Sequence, residues 1–194
     1  MAHDVTASPL LPGRPMLLRV LSSLGLLCAC LIGGVATASS TTQQAPQPAA
    51  ALKAAFLLRF ADFVEWPTSH EGAMRVCLSR PHELGDAVEG LAESARIKGR
   101  SVVVRTLEPG VPTPECEIAY LLPADHWRLT DWATRPVLTV GDTPGFCDKG
   151  GIINFHTARG RLRFEISLEN ARRAGLSIHP QLLQLATTVF GGRR

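Results

Sequence analysis

The sequence predicts an α/β fold: a mixed, largely parallel sheet flanked by helices, with a C-terminal β-hairpin and helix. Three observations carry that expectation. Short apolar runs rich in β-branched residues (74–79, 101–107, 118–122 and 136–142) alternate with helix-length segments, the pattern of parallel strands joined by crossovers. The last third holds two apolar strands separated by a polar connection, which reads as a hairpin. The chain's 194 residues, 45% hydrophobic and 19% charged, suffice for one sizeable core.

The N-terminus has the layout of an export signal. Arg14 and Arg19 flank Met16, an alternative start, and an uncharged stretch runs from Val20 to Ala38. It closes on Ala36-Thr37-Ala38, the small-x-small pattern of a cleavage site. A spanning helix is the competing reading, but Ser22, Ser23, Gly25, Gly33, Gly34 and Thr37 dilute the run. A lipidated form is a second competitor, through Leu27-Cys28-Ala29-Cys30, although no polar tether follows. The expected organisation is a signal peptide over 1–38, a polar, proline-bearing linker over 39–50, and one domain over 51–192. Without residues 1–38 the chain carries 18 basic and 16 acidic residues, about +2. No basic run resembles a nucleic-acid patch, so a nucleic-acid partner is not expected.

From Ala51 apolar residues recur at helical spacing: Leu52, Ala55, Phe56, Phe60, Phe63 and Val64, with Pro67 ending the helix after Trp66. That stripe faces the core or, if exposed, a partner. A strand over 74–79 follows, then a helix from Pro81 to about Ala95 with proline in its first turn. Lys98-Gly99-Arg100 is a turn before the strand 101–107. A proline-rich loop (Pro109, Pro112, Pro114) leads to Cys116 and the strand 118–122; residues 124–134 read as helix and 136–142 as a buried strand. The hairpin strands are 150–155 and 162–168, joined by 156–161. Along the second, Leu162, Phe164, Ile166 and Leu168 alternate with Arg163, Glu165 and Ser167. A short helix over 169–174 closes on Gly175, and a final amphipathic helix spans Pro180 to Val189, with Leu182, Leu183, Leu185, Ala186 and Val189 on its apolar side.

Catalytic signatures are missing from this pattern. There is no nucleophile elbow, phosphate-binding P-loop or His-Glu-x-x-His. Gly141, Gly145, Gly150 and Gly151 form a glycine series, but it runs into a strand rather than a helix N-terminus, so turn formation explains it better than anion binding. Arg163 and Glu165 share one strand face and form either a solvent-facing ion pair or a ligand contact. His179, before Pro180, is a helix-initiating residue or, less simply, a catalyst. No nucleophile, base and oxyanion site assemble, so an enzyme is not expected, nor is a cofactor. The mature part has Cys77, Cys116 and Cys147 but no Cys-x-x-Cys, and its histidines are scattered; metal is not expected.

Residues 52–67 (Leu-Lys-Ala-Ala-Phe-Leu-Leu-Arg-Phe-Ala-Asp-Phe-Val-Glu-Trp-Pro) resemble the opening helix of the YfiR family. Leu138-Thr-Val-Gly-Asp, Gly145-Phe, Gly150-Gly-Ile-Ile-Asn-Phe and Arg163-Phe-Glu-Ile-Ser-Leu are similar to its second block, and 171–178 with 182–186 to its third. The resemblance implies a periplasmic, dimeric repressor that binds the periplasmic domain of a membrane diguanylate cyclase. It would thereby lower cyclic di-GMP and biofilm formation, and an outer-membrane lipoprotein would sequester it. It also implies a Cys77–Cys116 disulfide and a ligand surface at Glu165 and His179, with Arg163 and Trp66 as neighbours. Cys147 matches half of a second family pair, but its partner position, near Asn154, holds no cysteine. Cys147 is therefore free, buried or linked between chains. Docking would use the Phe-rich helix or the apolar side of the last helix. The alternative function is a small-ligand or redox sensor acting on another membrane signalling protein, such as a sensor kinase.

Overall fold

A computed structural model of the chain describes residues 49–68, 71–79, 83–108, 111 and 115–192. The proposed signal peptide and residues 39–48 of the proposed linker lie outside them. Helix α1 (Ala49–Phe60) opens the described part and continues through a 3-10 turn, Ala61–Phe63, into β1 (Val64–Glu65). It takes in Ala49 and Ala50, which the sequence assigned to the linker, because alanine favours helix and no proline follows until Pro67.

The central sheet has the strand order β10-β8-β7-β6-β5-β2-β4-β3. Its members are β2 (Met74–Ser79), β3 (Arg96–Ile97), β4 (Arg100–Leu107), β5 (Ile118–Tyr120), β6 (Leu138–Gly141), β7 (Ile153–Ala158), β8 (Arg161–Ser167) and β10 (Thr188–Phe190). Strands β4, β2, β5, β6 and β7 run parallel, with β2–β4 pairing Met74 to Val102 and β2–β5 pairing Val76 to Ile118. The β7–β8 hairpin is antiparallel. The predicted fold class, a mixed and mostly parallel sheet with a C-terminal hairpin and helix, is what forms.

Each sheet face has its own cover. On one side α1 and α2 (Glu83–Ala92) pack Leu57, Phe60, Leu84 and Val88 against Val76, Ile118, Val140, Phe155 and Phe164. Phe60 stacks on Phe155 at 5.4 Å and meets the edge of Phe164 at 4.9 Å. Burying each such side chain contributes about 1.5–3 kcal/mol, which is why the Phe stripe ends in the core. The stripe is rotated from the predicted one: Ala54, Leu57, Leu58 and Phe60 are buried, whereas Leu52 and Ala55 face outward. On the other side Cys77, Ala119 and Leu121 pack with Leu129, Trp132, Val137 and Phe146 around α3 (Arg128–Trp132).

Four further boundaries differ from the sequence reading. The segment 124–134 is a 3-10 turn, Pro123–Asp125, followed by the five-residue α3, whose Arg128 is wholly buried on Asp125 and the Glu108 carbonyl. The hairpin connection is only Arg159-Gly160, both at positive φ (52° and 69°). That two-residue geometry matches strand twist, so β7 and β8 extend to meet it. The last helix, α5 (Pro180–Leu185), stops early. Ala186 turns extended and β10 pairs parallel to β8, Thr188 to Glu165 and Phe190 to Ser167. The β-branched Thr187-Thr188-Val189 run and the Thr187 bond to the Phe164 carbonyl favour strand over helix, which leaves Leu185 exposed. Helix α4 (Leu168–Arg173) takes Leu168 out of the hairpin strand, capped by the Ser167 side chain.

Candidate functional site

Alternation along β8 sends Phe164 to the α1 side and Arg163, Glu165 and Ser167 to the other. Register then sets Asn154 opposite Glu165 and His156 opposite Arg163. Glu165, half-buried, accepts a 3.1 Å bond from the Asn154 amide. Arg163 donates to the Leu162 carbonyl, and among the described residues it makes no ion pair with Glu165. Of the two forms the sequence left open, the Arg163–Glu165 ion pair gives way to an Asn154–Glu165 bond, because directly opposed residues are nearer than residues two apart on one strand. Asn154 Oδ1 and His156 Nδ1 on this face are buried without hydrogen-bond partners.

Cys147 borders the same face, in the loop between β6 and β7. That loop is organised around Phe146, whose ring is sandwiched between Gly141 and Gly151; a Cβ on Gly141 would stand 2.7 Å from it. Gly145 and Gly150 hold positive φ (72° and 105°), so the glycine series does form turns, while Gly141 and Gly151 also make room for an aromatic ring. The Asn170 amide, from α4, ties the loop down by donating to the Cys147 and Gly151 carbonyls at 2.8 Å each. Cys147 is a buried free thiol aimed at the Ile152 carbonyl. Burial, with the negative charges of Glu165 and Asp148, pushes it up to about 12. Among the described residues no cluster of His, Cys, Asp and Glu could hold a metal ion.

His179 and Trp66 belong to a different neighbourhood. Strand β1 pairs antiparallel with β9 (Ser177–Ile178), Val64 opposite Ile178. The His179 N–H donates to the Phe63 carbonyl at 2.8 Å, and its ring lies 6.4 Å from the Phe63 ring. Its Nδ1 accepts from the Gln181 N–H, capping α5. Trp66, at the far end of β1, packs on the α1-side core with the Lys98 ammonium 5.7 Å above its ring. The structure therefore groups Arg163 and Glu165 on one sheet face and sets His179 and Trp66 beside β1, apart from them.

Sequence reasoning missed the charged cluster beside Trp66. Glu117, almost wholly buried, accepts 2.6 Å and 3.1 Å bonds from the Arg100 guanidinium and a third from the Arg75 backbone N–H. Burial alone would raise its carboxyl, but Arg100 and Arg75 hold it below the usual range. Its only sequence signal was a charged residue next to an apolar strand; the partner depends on strand order.

Cys77 of β2 and Cys116, just before β5, are joined by a disulfide with their Cα atoms 5.8 Å apart. It ties adjacent parallel strands across the 39-residue crossover. Among the described residues no helix is long and apolar enough to cross a membrane. The YfiR/HmsC-like family profile matches residues 50–187, from the first turn of α1 to the residue before β10. That span is well over half of the chain and contains both core layers, the disulfide and the hairpin face, so the protein belongs to the YfiR/HmsC-like family.

Proposed function

We propose that the chain is a periplasmic regulatory binding protein that represses an inner-membrane diguanylate cyclase and so lowers cyclic di-GMP and biofilm formation. The observation that carries this reading is the YfiR/HmsC-like match across residues 50–187, in a family that is regulatory rather than catalytic. An oxidising compartment agrees with the Cys77–Cys116 disulfide. Export would use residues 1–38 as a cleavable signal peptide. The repressor would act by differential affinity, binding the inactive cyclase conformation better and shifting its population. A homodimer is the form expected to dock, with an outer-membrane lipoprotein as competing partner. Phe60 is committed to the core, and Phe56 and Phe63 pack against it, so the outward Leu52 of α1 and Leu185 of α5 are better placed for contact. Deleting the gene tests the reading directly: cellular cyclic di-GMP should rise and biofilm thicken, and an unchanged level would reject repression.

A second reading, a small-ligand sensor acting on a signalling protein such as a sensor kinase, is favoured by the unpartnered Asn154 and His156 atoms beside Glu165 and Arg163. Saturable metabolite binding lost in Glu165→Ala would support it.

A further inference from the structure

The β6–β7 loop hangs on one ring. Phe146, wholly buried, fills the space left by Gly141 and Gly151, and its carbonyl accepts from the Gly151 N–H. The ring of His126, the residue after the 3-10 turn Pro123–Asp125, lies against it with centroids 5.2 Å apart. The backbone that presents His126 is fixed on both sides: its N–H donates to the Pro123 carbonyl, and its carbonyl accepts from the Leu129 N–H.

His126 Nε2 is buried and has no hydrogen-bond partner. A neutral imidazole meets this at least cost by placing its unprotonated nitrogen there. An imidazolium carries an N–H on both nitrogens, so a donor bearing part of a positive charge would sit at Nε2 with nothing to accept it. The charges around the ring do not relieve this. Asp125, from the turn, is held by the buried Arg128 guanidinium at 3.2 Å. Asp142, from the end of β6, is held by the Lys53 ammonium of α1 and by the Tyr120 hydroxyl of β5. Lys149, from the β6–β7 loop itself, adds a positive charge. Burial first and Lys149 second hold His126 below its ordinary value of 6.5, against the weaker pull of Asp125 and Asp142.

The ring is half-buried, so its way out on protonation is a rotation toward water that leaves Phe146 uncovered. We propose that His126 is a pH-sensitive latch: the neutral ring keeps the β6–β7 loop closed on Phe146, and protonation on mild acidification opens that loop and bares Cys147. The open form takes up the proton more readily, so opening is favoured as pH falls below 6.5. One such group can raise the open population at most about tenfold between pH 7.5 and 5.5. The loop borders the Glu165 face, whose wall would therefore differ in acid. The latch does not depend on the regulatory reading, because it is measured on the chain alone.

The test uses the full chain at pH 7.5 and 5.5, with NMR of 13C-labelled histidine and thiol labelling by 4,4′-dithiodipyridine. His126 should titrate below its ordinary value. Cys147 labelling, read by peptide mass spectrometry and divided by the rate of a cysteine peptide at the same pH, should rise several-fold at pH 5.5. Hydrogen exchange at Val88 of α2, on the other face of the sheet, should keep its protection, which separates loop opening from global unfolding. His126→Phe should abolish the rise. Lys149→Gln, at an exposed position, should move the His126 titration upward and shrink the rise, which keeps the latch testable if His126→Phe misfolds. A His126 titration at or above the ordinary value, a flat labelling ratio, loss of Val88 protection in step with Cys147, or a rise retained in His126→Phe would each overturn the proposal.

Discussion

At the scale of single residues, Cys147 and Glu117 show that burial pushes both ionisable groups up and that the charge of their neighbours decides the outcome, carboxylates beside the thiol and guanidinium groups beside the carboxyl. The Cys147 thiol, pushed up to about 12, has almost no thiolate at neutral pH, and thiolate is the reactive form. Alkylation of the folded chain at pH 8 should therefore be slower than that of a free peptide thiol by two or more orders of magnitude, about the deficit in thiolate. Mass spectrometry with and without denaturant checks it. Glu117 is held below the ordinary carboxylate value of 4.5, so its contribution to stability is complete above that value and fades as pH falls below it. Glu117→Gln should cost about 3 kcal/mol at pH 7, since Arg100 loses its buried partner, and should flatten the acid limb of the stability curve below pH 4.5. Chemical denaturation at several pH values measures both effects.

At the scale of elements, the β6–β7 loop and the hairpin turn use glycine for different reasons. Gly151 lies under the Phe146 ring, where a Cβ would overlap ring carbons, whereas Gly160 has open space around it and only its φ of 69° to satisfy. Gly151→Ala should destabilise by about 1–3 kcal/mol through overpacking, and Phe146→Leu added to it should recover part of that loss. Gly160→Ala should cost about 1 kcal/mol, unaffected by Phe146. Thermal unfolding of the three variants separates steric from backbone origins. The sequence read the β6–β7 glycines only as turn formers, because nothing local says which aromatic ring will pack across Gly141 and Gly151. The end of α5 was hidden for a related reason: Leu182, Leu183 and Leu185 have helical spacing, but Thr187 finds its partner in Phe164, 23 residues earlier.

At the scale of the whole molecule, the Cys77–Cys116 bridge joins neighbouring strands of the sheet centre and closes a loop that contains α2, β3 and β4. In the chain-entropy description it contributes about 3–4 kcal/mol. Reduction under native conditions should lower the unfolding free energy by roughly that amount, with Cys77→Ala/Cys116→Ala matching the reduced form; an unchanged denaturation midpoint would refute it. By itself the sequence determined the fold class, the main strands β2, β4, β5, β6, β7 and β8 in their order along the chain, the inward alternation of Phe164 and Ile166, and the family, because periodicity and local motifs record which residues must be buried. The tertiary structure alone decided the partners: Glu165 with Asn154, Glu117 with Arg100, Phe146 between two glycines, and His179 and Trp66 apart from Arg163. Such pairings follow from strand order and register, which bring together residues whose spacing along the chain carries no trace of their contact.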